Sequence, residues 1–324
     1  MRSGGNPATI VDMIPWHTPP KDPAGTVTGD AAARIAAALD GAPPVLGIDA
    51  GGTGTRAVLM TGGKTAQRYA SGPFNYLLYD DGVAQMAGLI RAARPAVAAA
   101  GVGVPGIGRE PGSTAAFGAA VSAASGVPAR AAPDWAIAWL GAFLGAPGIV
   151  VMAGTGAVAV GGPAGGLKRM GGHGHIVDDE GSGYWIGKKA LRAALAAVEG
   201  LGPPTALCEA LTEAAGTSLD EMVARVQRAP GDRSFLVGLA PLVGKCAEHD
   251  PVALAILTDA AAALTGLVTA LRRHFHEELP VAAAGGVFAI TPLWAAFQRS
   301  TAAVPPLAPP EVGAALLAAQ NKPW

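Results

Sequence analysis

An acid that closes an apolar run, followed at once by glycines and hydroxyls, is the first feature of this sequence that can do chemistry. In GIDAGGTGTRAVL (Gly47 to Leu59), the run from Val45 to Ile48 meets Asp49, and Gly51, Gly52, Thr53, Gly54 and Thr55 follow. Glycines let backbone N–H groups approach phosphate oxygens with no Cβ in the way, and threonine hydroxyls add hydrogen bonds. The same residues also make a plain β-hairpin whose acid satisfies its own turn. A second stretch, MAGTGAVAVGG, repeats the pattern with Gly154, Thr155 and Gly156. Two such turns in matching positions favour phosphate binding over accident. Beside phosphates, Asp49 is placed to direct a Mg²⁺ through water, because that ion keeps much of its water shell.

Other polar residues stand out against apolar surroundings. Asp134 follows Pro133 where a short apolar strand ends. It suits an N-cap of the helix that begins at Trp135, and it also suits a general base. GGHGHIVDDEGSGYWIG (Gly171 to Gly187) is the densest polar stretch, with His173, His175, Asp178, Asp179, Glu180 and Ser182. Its spacing matches no metal motif, so substrate binding ranks above metal ligation, and Glu180 and Ser182 also suit capping of the next helix. Asn75 sits among aromatics; as a turn residue it is ordinary, and in a sugar site it is both donor and acceptor. Gly285 and Gly286 follow an apolar strand and offer bare backbone to a flat ring.

The elements needed to position these residues follow from the apolar pattern. Strands are expected over 45–48, 56–60 and 66–70 as an antiparallel meander, then a helix over 82–94, a strand over 96–104, a helix over 114–124, a strand over 129–132 and a helix over 135–143. Asp30 would cap a short helix over 31–39. The pattern then restarts with strands over 148–153 and 157–161. Helices are expected over 184–198, 204–215, 219–228, 234–249 and 251–278, then a strand over 281–284 and a last helix over 310–319. The order predicts an α/β protein with buried sheets covered by helices. The repeat predicts two related lobes that present their hairpins to a shared cleft. Residues 1–44 read as an N-terminal arm outside the fold, 45–145 as the first lobe, and 146–324 as the second lobe with a helical insert.

Bulk properties exclude several classes. The chain has 324 residues, room for two domains. Its 23 basic and 24 acidic residues nearly balance, so no basic stripe points to nucleic acid. Alanine and glycine inflate the hydropathy, and no uninterrupted strongly apolar run reaches spanning length, so no membrane partner is expected. Cys208 and Cys246 are far apart, outside any CxxC pattern, and no signal peptide is apparent; a cytoplasmic protein is the expectation.

Together the motifs resemble the acetate kinase, sugar kinase, Hsp70 and actin superfamily, and within it the N-acetylglucosamine kinase and BadF/BadG-type ATPase family. GGHGHIVDDEGSGYWIG is similar to that family's Gly-Trp-Gly … Gly-Asp-Glu-Gly-Ser segment. GIDAGGTGTRAVL looks like its first phosphate motif, MAGTGAVAVGG like its second, and AAAGGV like its adenosine motif. The resemblance implies two RNase H-like lobes of the actin-like ATPase fold around a central cleft, closing on Mg-ATP, and phosphorylation of an amino sugar's primary hydroxyl, N-acetylglucosamine to its 6-phosphate first among them. It implies that Asp134 is the base, that Thr53 and Thr155 hold phosphates, that Asp49 directs the metal, and that Asn75, Gly172, His173, Gly174 and Asp179 line the sugar site. Homodimers are common in that family. Four positions depart from its pattern: Gly54 stands where a Lys or Arg is usual, His173 for the tryptophan, Asp178 for a glycine, and Pro133 and Trp135 flank the base instead of Asn and Ala. The extra acid, Asp178, would favour an amino sugar with a free ammonium. Two other readings remain: an ATPase driving a partner protein, and a silent ATP- or sugar-binding sensor.

Overall fold

The computed structural model describes residues 29–51, 54–74, 79–93, 96–108 and 110–320. Two compact units emerge, one from Met1–Ala146 with Pro306–Trp324, the other from Pro147–Pro305.

In the first unit, α1 (Gly29–Ala38) precedes β1 (Val45–Ala50), β2 (Thr55–Thr61) and β3 (Lys64–Ser71). Then come α2 (Tyr79–Ala92), β4 (Ala99–Val104), α3 (Ser113–Ser125), β5 (Ala129–Pro133) and α4 (Asp134–Phe143). The sheet order is β3-β2-β1-β4-β5. β1, β2 and β3 form the antiparallel meander expected from the sequence, and β4 and β5 add in parallel.

The two faces of this sheet differ, because side chains alternate along a strand. One face carries Leu46, Ile48, Ala50, Ala57, Leu59, Val102 and Val104, packed with Met86, Ile90, Phe117 and Val121 of α2 and α3 into one core. The other carries Gly47, Asp49, Arg56 and Val58, since Gly47 pairs with Val58 and Asp49 with Arg56. That face is covered by α11 (Pro310–Ala319), the last helix. A Cβ on Gly47 would lie 2.0 Å from the Glu311 carbonyl oxygen, and one on Gly101 only 1.9 Å from that of Ala314. Glycine at these two strand positions is what lets the helix backbone lie directly on the sheet. The last helix, read from sequence as part of the second lobe, thus belongs to the first: its wall of small and aliphatic residues matches this glycine-lined face.

The N-terminal arm also needs correction from Gly29 onward. Ala31, Ile35 and Leu39 are buried at helical spacing, and Arg34 donates to the Phe143 carbonyl at 3.3 Å. Asp30 lies in the first turn of α1 rather than before it. Residues 1–28 lie outside the described residues.

The second unit repeats the first meander. β6 (Gly148–Ala153), β7 (Ala157–Gly162) and β8 (Lys168–Gly171) are followed by α5 (Gly183–Val198), α6 (Leu207–Ala215), α7 (Leu219–Arg228), α8 (Ser234–Cys246) and α9 (Pro251–Phe275). Next come β9 (Val281–Ala284), a 3₁₀ turn at Gly286–Ala289 and α10 (Thr291–Thr301). The order β8-β7-β6-β9 reproduces β3-β2-β1-β4. Val304 bridges Ala282 in parallel, where the first sheet has β5 beside β4.

α9 is long and apolar enough to cross a membrane by composition alone. Here its stripe of Ile256, Leu257, Ala260, Leu264, Val268 and Leu271 packs into the second unit's core. α8 and α9 end sooner than expected, at Cys246 and at Phe275, where His276 takes a left-handed conformation with φ 54°.

Candidate active site

In the first unit, the turn after β1 is closed by a hydrogen bond from the Gly51 N–H to the Gly54 carbonyl at 3.1 Å, and the Phe74 N–H donates to the Gly51 carbonyl at 3.0 Å. Gly52 and Thr53, expected at the phosphates, and Asn75, expected at the sugar, lie outside the described residues. Thr55 departs from the expectation. It pairs with Ala50 and points to the core face, 1 % exposed, with a buried hydroxyl that lacks a hydrogen-bond partner. Its position in the strand's alternation is opposite to that of Arg56.

Asp49 stands one residue before the end of β1, on the glycine-lined face. Part of it remains accessible. Even so, burial, followed by the negative charges of Glu311 and Asp134, pushes its carboxyl up to about 7, against the opposing pull of Arg56. Such a group is poised for a counter-charge: a cation nearby would restore the ionised form. Asp134, half-buried, opens α4 on the carboxyl side of β5, and its Oδ1 accepts the Trp135 N–H at 2.9 Å. Asp134 is the first helical residue, not the cap; Pro133 holds that place. The helix N-terminus stabilises the carboxylate there. Glu311 was not singled out by sequence reasoning. It is 4 % exposed in the first turn of α11, and its Oε1 accepts from Arg68 Nη1 at 2.8 Å.

In the second unit, the hairpin is braced by backbone. The Gly154 N–H donates to the Gly156 carbonyl at 2.9 Å, and the Gly183 N–H, at the start of α5, donates to the Gly154 carbonyl at 2.7 Å. Ser182 caps α5 by accepting the Trp185 N–H at 3.2 Å, which bears out its capping alternative. Thr155 lies at the tip, half-buried.

Asp179 is buried, not open to solvent. It adopts φ 64°, its Oδ1 accepts the Ala157 N–H at 3.4 Å, and a Cβ on Gly156 would come within 2.9 Å of its Oδ2. Burial raises its carboxyl above the usual range, with Asp178 adding to the rise and the Ala157 N–H and Arg233 opposing it. Asp179 therefore ties the polar loop to the second hairpin.

The rest of that loop is more open. Gly172 and Gly174 have φ of 74° and 99°, and the exposed His173 donates its N–H to Asp178 Oδ2 at 3.0 Å. His175 meets the Tyr184 ring edge-on at 4.7 Å, and Ile176 and Val177 stand in solvent. After β9, a Cβ on Gly285 would lie 2.3 Å from the Ala153 carbonyl oxygen, while Gly286 has open space at its Cα. Bare backbone is thus available at Gly286, next to the end of β6.

Among the described residues, no three His, Cys, Asp or Glu side chains are grouped to hold a metal ion directly.

Known proteins show the same architecture. The chain is 33% identical over 147 residues to an N-acetyl-D-glucosamine kinase of Dictyostelium discoideum, which covers 43% of this chain and 46% of that protein. It is 30% identical over 144 residues to a glucosamine kinase of Vibrio cholerae, covering 44% and 48%. It thus spans about half the length of the curated relatives it matches. The crystal structure of a candidate N-acetylglucosamine kinase from Chromobacterium violaceum superposes with TM-score 0.72 at 28% identity, over 86% of this chain and 99% of that one. This α/β architecture is the actin-like ATPase fold of sugar kinases. The pattern of the BadF/BadG/BcrA/BcrD ATPase family runs through residues 46–318, and the chain belongs to that family.

Proposed function

We propose that this protein is an ATP-dependent kinase that transfers the γ-phosphoryl group to the primary hydroxyl of an amino sugar, N-acetylglucosamine first among them. The observation that carries the reading is the placing of two carboxylates, Asp49 and Asp134, on one face of a sheet whose first hairpin is built from glycines. Phosphoryl transfer needs positioning and charge neutralisation more than covalent chemistry. In this reading the Gly51–Gly54 turn and the Gly154–Gly156 turn offer backbone N–H groups to phosphates, with Thr53 and Thr155 adding hydroxyls. Asp134 accepts the proton of the sugar hydroxyl as the new P–O bond forms. Its carboxylate is oriented for this by the Trp135 N–H.

The site suits a Mg²⁺ ion: burial, with the charges of Glu311 and Asp134 adding to it, holds Asp49 near neutrality, and a nearby cation would favour its ionised form. When bound, the ion neutralises phosphate charge; Asp49 would hold it through water. Gly172, His173 and Gly174 would contact the sugar, and Asp179 acts by bracing them to the second hairpin. Gly286 would let the adenine lie against backbone. A cytoplasmic location accords with such a substrate.

The test is ADP release from Mg-ATP against N-acetylglucosamine, glucosamine, N-acetylmuramic acid, N-acetylmannosamine and glucose. Sugar-dependent release is expected, cut by about two orders of magnitude or more in Asp134→Asn with nucleotide affinity kept. ATP turnover indifferent to every sugar would instead favour an ATPase that drives a partner. Bound ATP with no turnover would favour a sensor.

A further inference from the structure

The second hairpin has no charge of its own: MAGTGAVAVGG contains no acidic or basic residue. A phosphate seated at Gly154–Gly156 would meet backbone N–H groups and the Thr155 hydroxyl alone, unless a cation reached it from elsewhere in the unit. α8 brings one close. A Cβ on Gly187 would lie 1.9 Å from the Leu236 carbonyl oxygen, so α5 and α8 touch backbone to backbone. One on Gly183 would lie 3.0 Å from the Gly154 carbonyl oxygen and 3.3 Å from Val237 Cγ1. Val237 therefore stands over the junction of the hairpin and α5.

Arg233 comes one turn before Val237, whose N–H donates to the Arg233 carbonyl at 3.1 Å, and so shares that face of the helix. It is half-buried, and its charge reaches Asp179, the acid that lies against Gly156. The adjacent acid is occupied elsewhere: Asp232 Oδ1 accepts both the N–H and the hydroxyl of Ser234. Among the described residues, no side-chain hydrogen bond or ion pair holds the guanidinium. A half-buried guanidinium has given up hydration and rotamer freedom, and a contact pair with Asp179 would be the simplest compensation. That pair is not made, so the donors stay available beside a glycine turn. Their planar fork suits phosphate oxygens, which accept two parallel hydrogen bonds from it.

We propose that Arg233 is a phosphate-binding residue of the second unit, meeting the nucleotide's phosphate chain at the Gly154–Gly156 turn. The inference rests on the kinase reading and deepens it. The hairpin shapes the phosphate site with backbone, and the helical insert supplies the charge that the hairpin lacks.

The experiment uses the full chain and measures Mg-ADP affinity by calorimetry beside the melting temperature without ligand. Arg233→Gln is expected to weaken Mg-ADP about 10-fold or more, the worth of hydrogen bonds to a charged group, with the unliganded melting temperature near native. Arg233→Lys keeps the charge without the fork and should recover only part of the affinity. Should Arg233→Gln fail to fold, Arg233→Lys alone is expected to bind Mg-ADP several-fold more weakly than the native protein. Native-like affinity in whichever variant folds would overturn the inference and leave the kinase reading untouched. So would a loss of affinity matched by a lower unliganded melting temperature, which would assign Arg233 to the support of Asp179. No Mg-ADP binding by the native protein would overturn both.

Discussion

The two hairpins share a topology and differ in chemistry. In the first, the cross-strand pair just inside the turn is Asp49 with Arg56; in the second, the matching pair is Met152 with Val158. The residue beside Asp49 on the parallel strand is Gly103, over which the Ile137 side chain packs, 2.0 Å from where a Cβ would be; beside Met152 it is Ala284. Of these two strand pairs only the first carries charge, and there Glu311 and Asp134 add their charges to the surroundings of Asp49. The second unit offers almost pure backbone geometry, held by Gly183, Asp179 and a tight glycine turn. The glycine turn itself is present in both units, closed in each by a backbone hydrogen bond. On the proposed reading, the acids that manage a cation and a proton belong to the first unit alone.

Replacing the acid at the end of β1 should break this asymmetry most severely. Asp49→Asn is expected to lower Mg²⁺ affinity by roughly 10–100-fold and turnover at least as far, measured by ADP release over a Mg²⁺ titration. Stability should move the other way. The folded carboxyl sits at about 7, above its value of 3.8 when unperturbed. The folded state therefore holds the proton more tightly, so the group's stabilising contribution is full below pH 4 and is lost as pH rises through 7. The loss is on the order of a few kcal/mol, reduced by the solvent that reaches the group. Without metal, the native melting temperature should fall between pH 5 and 8 more than that of Asp49→Asn. Parallel curves for the two proteins would show that Asp49 is an ordinary, ionised surface acid.

The second hairpin should respond to shape rather than charge. Gly156→Ala places a Cβ 2.9 Å from Asp179 Oδ2. Overpacking of this kind costs about 1–3 kcal/mol, and it presses on the brace rather than on the acids. The Michaelis constant for ATP should rise several-fold, while the Mg²⁺ dependence that belongs to the first unit stays as it was. A changed Mg²⁺ dependence with an unchanged Michaelis constant would reverse the division of labour drawn above.

Sequence made the hairpins legible because both of their signals are local. Apolar runs fix the strands, and glycines fix the turns. What escaped it depends on distant partners. β8 (KRMG) is half-exposed and carries no alternation to read. α10 shows its buried side only through Leu293, Phe297 and Thr301, each four residues from the next, behind a proline. The docking of α11 depends on Gly47 and Gly101, more than 200 residues earlier, so its membership of the first unit had no local mark. Glu311 did have one: it is a single acid opening an otherwise wholly apolar helix, and such an acid merits a partner. The burial of Asp179 was hidden because a loop acid reads the same whether it faces solvent or braces a neighbouring turn. Gly52, Thr53 and Asn75 stay on the strength of the sequence.

The smallest effect is expected in the polar loop, where Asp178 stands. Sequence suggested that its charge favours a free ammonium on the sugar. The structure gives one of its oxygens a local task, accepting the His173 N–H at 3.0 Å. The side chain is half-buried, so any charge effect is screened. Asp178→Asn keeps an acceptor for the His173 N–H and removes only the charge. If the charge recognises an ammonium, the ratio of kcat/KM for glucosamine to that for N-acetylglucosamine should fall by about 3–5-fold, the worth of a partly screened ion pair of up to about 1 kcal/mol. Asp178→Gly, which also frees the loop, should lower kcat/KM for both sugars. An unchanged ratio in Asp178→Asn with a uniform loss in Asp178→Gly would assign Asp178 to the loop alone. The loop's part in the chemistry would then be uncharged, as that of the second hairpin already is.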